Sequence, residues 1–228
     1  MALIGVLMSS LSTAEDLEKN WSGFYAGGHL GGVFNHMELN AKHFAFVGLN
    51  GDCNHNSSYS GVLMGGQAGF VHQLQSKWVL GVEGDFSYYF SQSSQVQCLC
   101  DFDSQVYDRF QLINREQGSV RGRVGYAMQH HLLPFASAGV SFANLGLDYH
   151  NEGGNRISGL SYQPGWLIGA GLEWAYTKQW TLRLEYQYAQ YAQYQMPIYN
   201  IYGIEDPSGY GHLNVYNNNI RLALNYWF

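Results

Sequence analysis

Trp180-Thr181-Leu182-Arg183-Leu184-Glu185-Tyr186-Gln187-Tyr188 alternates without a break, apolar or aromatic on the even numbers and polar or charged on the odd ones. A period of two marks an extended strand with one apolar and one polar face. The split recurs along the chain. Trp78–Tyr88 sets Trp78, Leu80, Val82, Phe86 and Tyr88 against Glu83, Asp85 and Ser87. Ser119–Met128 sets Val120, Val124 and Tyr126 against Ser119, Arg121 and Arg123. Trp166–Ala175 sets Trp166, Ile168, Leu172 and Trp174 against Gly169, Gly171 and Glu173. Asn219–Phe228 sets Ile220, Leu222, Leu224, Tyr226 and Phe228 against Asn219, Arg221, Ala223 and Asn225. Gly23–Phe34, Leu63–His72 and Leu133–Asn144 show the pattern more faintly, and the last has no readable parity. Segments of about ten residues suit a tilted membrane strand.

Composition narrows the setting. Charged residues make up 12% of the 228 and aromatic ones 16%, with 28 Gly and 18 Tyr. Charge is about half the usual soluble share. Yet no run reaches the 18 or so apolar residues that a spanning helix needs. Aromatic content is too high for a disordered chain, and a net charge of −6 argues against a nucleic-acid partner. At the N-terminus, the apolar run Ala2–Met8 and the small residues Ser12-Thr13-Ala14 resemble the end of a signal peptide. Residues 1–14 are therefore expected to be a partial signal peptide, and residues 15–228 one barrel domain.

The connections sharpen this into a topology. Gln73–Lys77, Gln129–Leu132 and Tyr176–Gln179 are short, whereas 35–62, 89–118, 145–165 and 189–218 are long and polar. Strict alternation of long and short is what an up-and-down barrel shows when one rim faces the exterior and the other the periplasm. Eight strands, four long exterior loops and both ends on the short-turn side follow. Val106–Ile113 and His43–Leu49 leave two readings open: a ten-stranded barrel, or eight strands continued beyond the bilayer.

Alternation alone does not say which face is inside, since a soluble lipocalin-type barrel has the same period. Trp78, Tyr88, Trp166, Trp174, Trp180 and Tyr188 stand at segment ends, where interfacial girdles lie, and the polar face is rich in glycine. The apolar face is therefore read as outward. The lumen then holds Glu83, Asp85, Glu173 and Glu185 with Arg121, Arg123, Arg183 and Arg221, four charges of each sign. Eight strands leave a lumen that side chains fill, and a balanced set satisfies itself by carboxylate–guanidinium pairing. A structural network is preferred over an ion pathway, because a conducting pore tolerates a ring of one sign.

The motifs resemble those of small outer-membrane barrels of the opacity-type porin and OmpA/OmpX-like group. Trp21-Ser22-Gly23-Phe24-Tyr25-Ala26-Gly27 is similar to the opening of their first strand. Gly65–Phe70, Gly81–Asp85, Val120–Tyr126, Gly169–Trp174 and Leu182–Tyr186 follow in the family's order. Ile220, Leu222, Leu224, Tyr226 and Phe228 look like the terminal ladder read by the barrel-assembly machinery. The resemblance implies an all-β, eight-stranded antiparallel transmembrane barrel in the bacterial outer membrane, among lipid and lipopolysaccharide. It implies no single activity: members act as adhesins, envelope antigens, host-interaction proteins or minor porins. Because the pattern reaches Phe228, the peptidoglycan-binding domain of longer relatives is not expected.

The exterior stretches offer the remaining chemistry. Glu38, Asp52, Asp101, Asp103, Asp108, Glu116, Asp148, Glu152, Glu205 and Asp206 face only Lys42, Arg109, Arg115 and Arg156, a balance of −6. A solvated rim is the first reading of this, ahead of a site for divalent cations or a basic surface. The fourth loop carries Tyr191, Tyr194, Tyr199, Tyr202, Tyr210 and Tyr216, a contact surface or an extension of the girdle. Cys53 and either Cys98 or Cys100 can tie neighbouring loops by a disulfide, leaving one thiol over. His36, His43 and His55 beside Cys53 lack the spacing of a zinc site. Ser141, His150 and Glu152, or Ser208, His212 and Asp206, are the only nucleophile–base–acid sets worth naming, and neither sits on a recognised motif. The expectation is a non-enzymatic protein without cofactor or metal, with a plugged charged lumen and loops for surface interaction or adhesion. A small diffusion channel is the alternative, an exterior-rim enzyme the third.

Overall fold

Ten stretches of backbone pair into one antiparallel sheet in a computed structural model that describes residues 19–44, 51–91, 94–99, 107–128, 131–192, 194–199 and 205–228. They are β1 (Gly23–Phe44), β2 (Gly51–Gln73), β3 (Trp78–Ser91), β4 (Ser94–Leu99), β5 (Tyr107–Tyr126), β6 (Leu132–His150), β7 (Arg156–Ala175), β8 (Trp180–Tyr191), β9 (Tyr194–Tyr199) and β10 (Glu205–Trp227). The order is β1-β2-β3-β5-β6-β7-β8-β10, and β10 pairs back on β1 from Tyr25↔Trp227 to Lys42↔Tyr210. Closure matters because hydrocarbon offers no partner to an unpaired strand edge.

β4 and β9 add no staves to the barrel. β3 lies along β5 as far as Tyr88↔Glu116, and β4 takes up the same partner at Ser94↔Leu112. Likewise β8 lies along β10 as far as Gln190↔Tyr216, and β9 resumes at Tyr194↔Leu213. Each continues its predecessor after a short slip in register. The barrel is eight-stranded, and Tyr107–Ile113 is simply the upper part of β5. His43 lies at the end of β1, while residues 45–50 fall outside the described ones.

Twenty residues of strand rise about 66 Å, or about 50 Å along the axis at a tilt near 40°. The apolar band needs only about 25 Å of that. The strands therefore run on well past the bilayer, and the stretches 35–62, 89–118, 145–165 and 189–218 are not loops throughout. Their outward residues turn polar above Phe34 and below Val62 (Ser58 and Ser60 are exposed), so the period of two vanishes while the ladder continues.

Through the membrane, odd-numbered residues face the lumen in every stave, and even-numbered ones face lipid. The structure settles Leu133–Asn144. Leu133, Phe135, Ser137, Ser141 and Ala143 are buried, whereas Val140 and Phe142 are exposed. Parity is unreadable there because Leu133 and Phe135 are large and apolar yet point inward, while small Ala136 and Ala138 point out. The short turns are locally capped. Leu74 N donates to Trp78 O (2.7 Å), with Lys77 at φ 65°. Thr177 Oγ1 accepts from Trp180 N (2.9 Å) at the β7–β8 turn.

Candidate functional site

Among the described residues, charge is concentrated and desolvated in the lumen. β3 supplies Glu83 and Asp85, β5 Arg121 and Arg123, β7 Glu173, β8 Arg183 and Glu185, and β10 Arg221; all eight are at most 8% exposed. Register sets Glu83 beside Arg121, Glu173 beside Arg183 and Glu185 beside Arg221. Contacts then reach across the lumen as well as along the wall. Arg121 pairs closely with Glu83 and lies 3.3 Å from Glu185 and 3.5 Å from Asp85. Arg183 Nη1 donates to Glu83 at 2.6 Å, and its Nη2 lies 3.1 Å from Glu173, which also pairs with Arg123. Arg221 Nη1 donates at 3.0 Å to Asp85 across the barrel. Such pairing offsets the desolvation that isolated charges would suffer.

Neutral groups extend the network; parity placed Ser87, Thr181 and Asn225 on the polar face without giving them this role, and sequence reasoning missed Tyr25, His29 and Gln67. Thr181 Oγ1 (2.5 Å) and Asn225 Nδ2 (3.1 Å) donate to Glu173 Oε1. Gln67 Nε2 donates to Asn225 Oδ1 at 2.6 Å, which leaves Gln67 Oε1 to accept from His29 Nδ1 at 3.0 Å. His29 Nε2 then accepts from Ser87 Oγ at 2.9 Å. Tyr25 donates to Glu83, and the Arg123 guanidinium lies 3.8 Å from the centre of the Phe135 ring. The signal for Tyr25, His29 and Gln67 is the odd parity of β1 and β2, weakened by the Gly and Ala on their outer faces.

Inward of the short turns lies an apolar layer. Trp21, Tyr25, Val71, Val79, Ala127, Leu133, Ala175 and Trp227 are all buried in one cluster. Trp21 and Trp227 meet edge to face, centroids 5.7 Å apart. Lys19 reaches across the mouth: its Nζ donates to the carbonyl of Lys178 at 2.6 Å and lies 4.3 Å from the centre of the Trp227 ring. Burial pushes this ammonium down to about 8 from 10.5, with Glu173 opposing the shift. Above the charges, the buried amides of Asn35, Asn217 and Gln187 have no hydrogen-bond partner among the described residues.

A closed eight-stranded wall, a lipid-facing apolar band and a charged lumen define the architecture, and the whole chain, residues 1–228, matches the family model described as outer membrane protein beta-barrel domain. The chain belongs to that family. Among its relatives, the 31 kDa outer-membrane immunogenic protein of Brucella melitensis is 26% identical over 223 residues, covering 92% of this chain and 84% of that one. The 25 kDa outer-membrane immunogenic protein of Brucella abortus is 33% identical over 127 residues, 56% of this chain and 51% of that one. Solved structures similar in fold include the outer membrane protease OmpT from Escherichia coli, at 10% identity and TM-score 0.52, covering 90% of this chain and 97% of that one. The outer membrane protein OprG from Pseudomonas aeruginosa aligns at 12% identity and TM-score 0.50, covering 93% and 99%. The protein is thus an outer-membrane β-barrel.

Other sequence-predicted residues of this outer-membrane barrel fall as follows. Ile220, Leu222, Leu224 and Tyr226 point outward on β10, and Phe228, just past its end, is the most exposed of the five at 81%. Cys53 lies on β2 and Cys98 on β4; their side chains, and Cys100 altogether, lie outside the described residues. Ser208 and His212 stand four residues apart on β10, about 13 Å along an extended strand. Ser141 faces the lumen on β6, nine residues or about 30 Å along the strand from His150. These separations correct the two imagined catalytic sets, because a nucleophile and its base must be within hydrogen-bond reach. Asp206 lies on the same strand β10, and Glu152 lies outside the described residues. Among the described residues no group of three or more His, Cys, Asp or Glu is placed to hold a metal.

Proposed function

We propose that this outer-membrane barrel is a non-enzymatic scaffold with a plugged lumen, presenting its acidic exterior extensions for surface interaction or adhesion and contributing to envelope integrity. The observation that supports this reading is the stack inside the wall: the Lys19–Trp21–Trp227 layer beneath eight mutually paired charges, none more than 8% exposed. Lumen groups committed to one another have little freedom to serve a passing solute. Partners are then sought outside: lipid and lipopolysaccharide around the band, the barrel-assembly machinery at the Ile220–Phe228 ladder, and a surface ligand above the membrane. The immunogenic relatives are in keeping with exposed exterior segments.

A small channel is the second reading, favoured by the unpartnered amides of Asn35, Asn217 and Gln187, which demand water or a rearranged upper lumen. Planar-bilayer recording of the refolded protein, with Arg121→Ala and Arg123→Ala beside it, separates the two. The scaffold reading expects silence from the parent protein. Steady conductance that shifts in the arginine variants would establish the channel.

A further inference from the structure

The eight lumen charges balance one another, but Lys19, 5% exposed at the mouth, adds a ninth. With its pKa at about 8, the ammonium is charged at neutral pH. His29 adds nothing, since one ring nitrogen donates to Gln67 while the other accepts from Ser87. Among the described residues the buried set is therefore positive by one. A buried charge without a counter-ion is costly.

The excess lies in the periplasmic half. Arg123 and Arg183 converge on a single oxygen, Glu173 Oε2: Arg123 pairs with it closely, and Arg183 Nε and Nη2 lie 3.2 and 3.1 Å away. Both guanidiniums also crowd the Phe135 ring, 3.8 and 5.3 Å from its centre. Lys19 feels the same carboxylate. The acids are fully used: both oxygens of Glu83, Asp85, Glu173 and Glu185 already accept. Yet Arg123 Nε and Nη1, both buried, meet no acceptor among the described residues, and neither does Trp21 Nε1 in the layer beneath. Arg221 also has spare donors, but Asp85 is bonded to it and Glu185 stands beside it, so an anion there would meet two carboxylates.

We infer that the periplasmic half of the lumen binds one small monovalent anion, of halide size, against the Arg123 and Arg183 guanidiniums. The leftover groups at this end are all donors, so the guest accepts hydrogen bonds, and one excess positive charge calls for one negative. Size follows from packing. A Cβ on inward-facing Gly125 would stand 2.9 Å from Leu133 Cδ1, and one on Gly171 2.8 Å from Phe135 Cζ. Side chains already fill the lumen at these positions, which leaves no space for a bulky solute. The anion enters as the wall closes in folding and stays as part of the plug. This goes beyond the scaffold reading by giving the lumen a ligand.

The test is urea unfolding of the refolded protein in zwitterionic lipid, with sodium chloride exchanged for sodium gluconate at constant ionic strength so that screening is unchanged. For one site, a tenfold rise in chloride should raise the folding equilibrium constant by up to about tenfold, and the bulky gluconate should not. Arg123→Gln removes the guanidinium and the excess charge together, and the chloride dependence should vanish. Lys19→Gln, which removes the excess charge at the mouth, serves if Arg123→Gln does not fold, and should weaken the dependence. In crystals of protein refolded in bromide, anomalous density should lie against the Arg123 guanidinium. Equal midpoints in the two salts, unchanged chloride dependence in the folded variant, or no bromide at Arg123 would overturn the inference. So would a dependence that appears only when Glu15, Asp16 and Glu18, which precede Lys19 in the chain, are changed to amides, because the chain's own carboxylates would then supply the charge. None of these results depends on conductance, so the scaffold reading stands or falls separately.

Discussion

Arg183→Met should lower the stability of the barrel by about 3–5 kcal/mol, read as a shift of the urea unfolding midpoint in lipid. Arg183 stands at the junction of the network, donating to Glu83 at 2.6 Å and to Glu173 at 3.2 Å. Methionine fills much of the same volume, so the loss is mainly of charge and donors. Two carboxylates, 2% and 0% exposed, are then left short of a counter-ion. Adding Glu173→Gln to the same protein should recover part of the loss, because one of the stranded charges is gone. Arg121→Ala follows the same logic through Glu83 and Glu185, while Asp206→Ala, above the membrane, should move the midpoint little. Equal, negligible shifts in Arg183→Met and Asp206→Ala would show that the network contributes nothing to folding.

The second large effect is steric. Gly139 lies on the inner face of β6, directly opposite Arg121 on β5. A Cβ at that position would sit 2.5 Å from Arg121 Cα and 2.7 Å from Arg121 Cβ. Neither atom can swing aside, since both are fixed by the ladder. Gly139→Val should therefore cost about 1–3 kcal/mol, towards the upper end because the neighbour is backbone. Gly122, one strand away, faces lipid, and its nearest such contact is 3.9 Å from Ala138 O. Gly122→Val should stay within about 0.5 kcal/mol of the parent. A reversal of these two effects would invert the assignment of faces.

The reach of the sequence reading has a physical explanation. Where the outer face is continuously apolar, as in Trp78–Tyr88 and Trp180–Tyr188, parity together with the aromatic residues at the segment ends places Glu83, Asp85, Arg183 and Glu185 on the inner wall. It does not give their partners. Arg221 is beside Glu185 in register yet donates to Asp85, because a narrow lumen makes the opposite wall as near as the next strand. His29 and Gln67 escape notice because neutral polar groups leave little mark on a pattern of charge. The exterior extensions are hidden for another reason: above the bilayer the outer face no longer has to be apolar, so no alternation is required. Backbone pairing continues there without the hydrophobic signal that reveals it. Eight staves were therefore legible, but not their length or the slips that separate β4 and β9.

Thiol reactivity distinguishes odd positions that face a lumen closed to solvent from odd positions that line an open one. In a background with Cys53, Cys98 and Cys100 changed to Ser, Ser137→Cys and Ala138→Cys place neighbouring thiols on opposite faces of β6. Ser137 is 6% exposed and Ala138 faces lipid. A membrane-impermeant thiol reagent applied to both sides should label neither, and a lipid-soluble maleimide should label Ala138→Cys alone. Labelling of Ser137→Cys by the impermeant reagent would mean an open aqueous lumen and would contradict the scaffold reading.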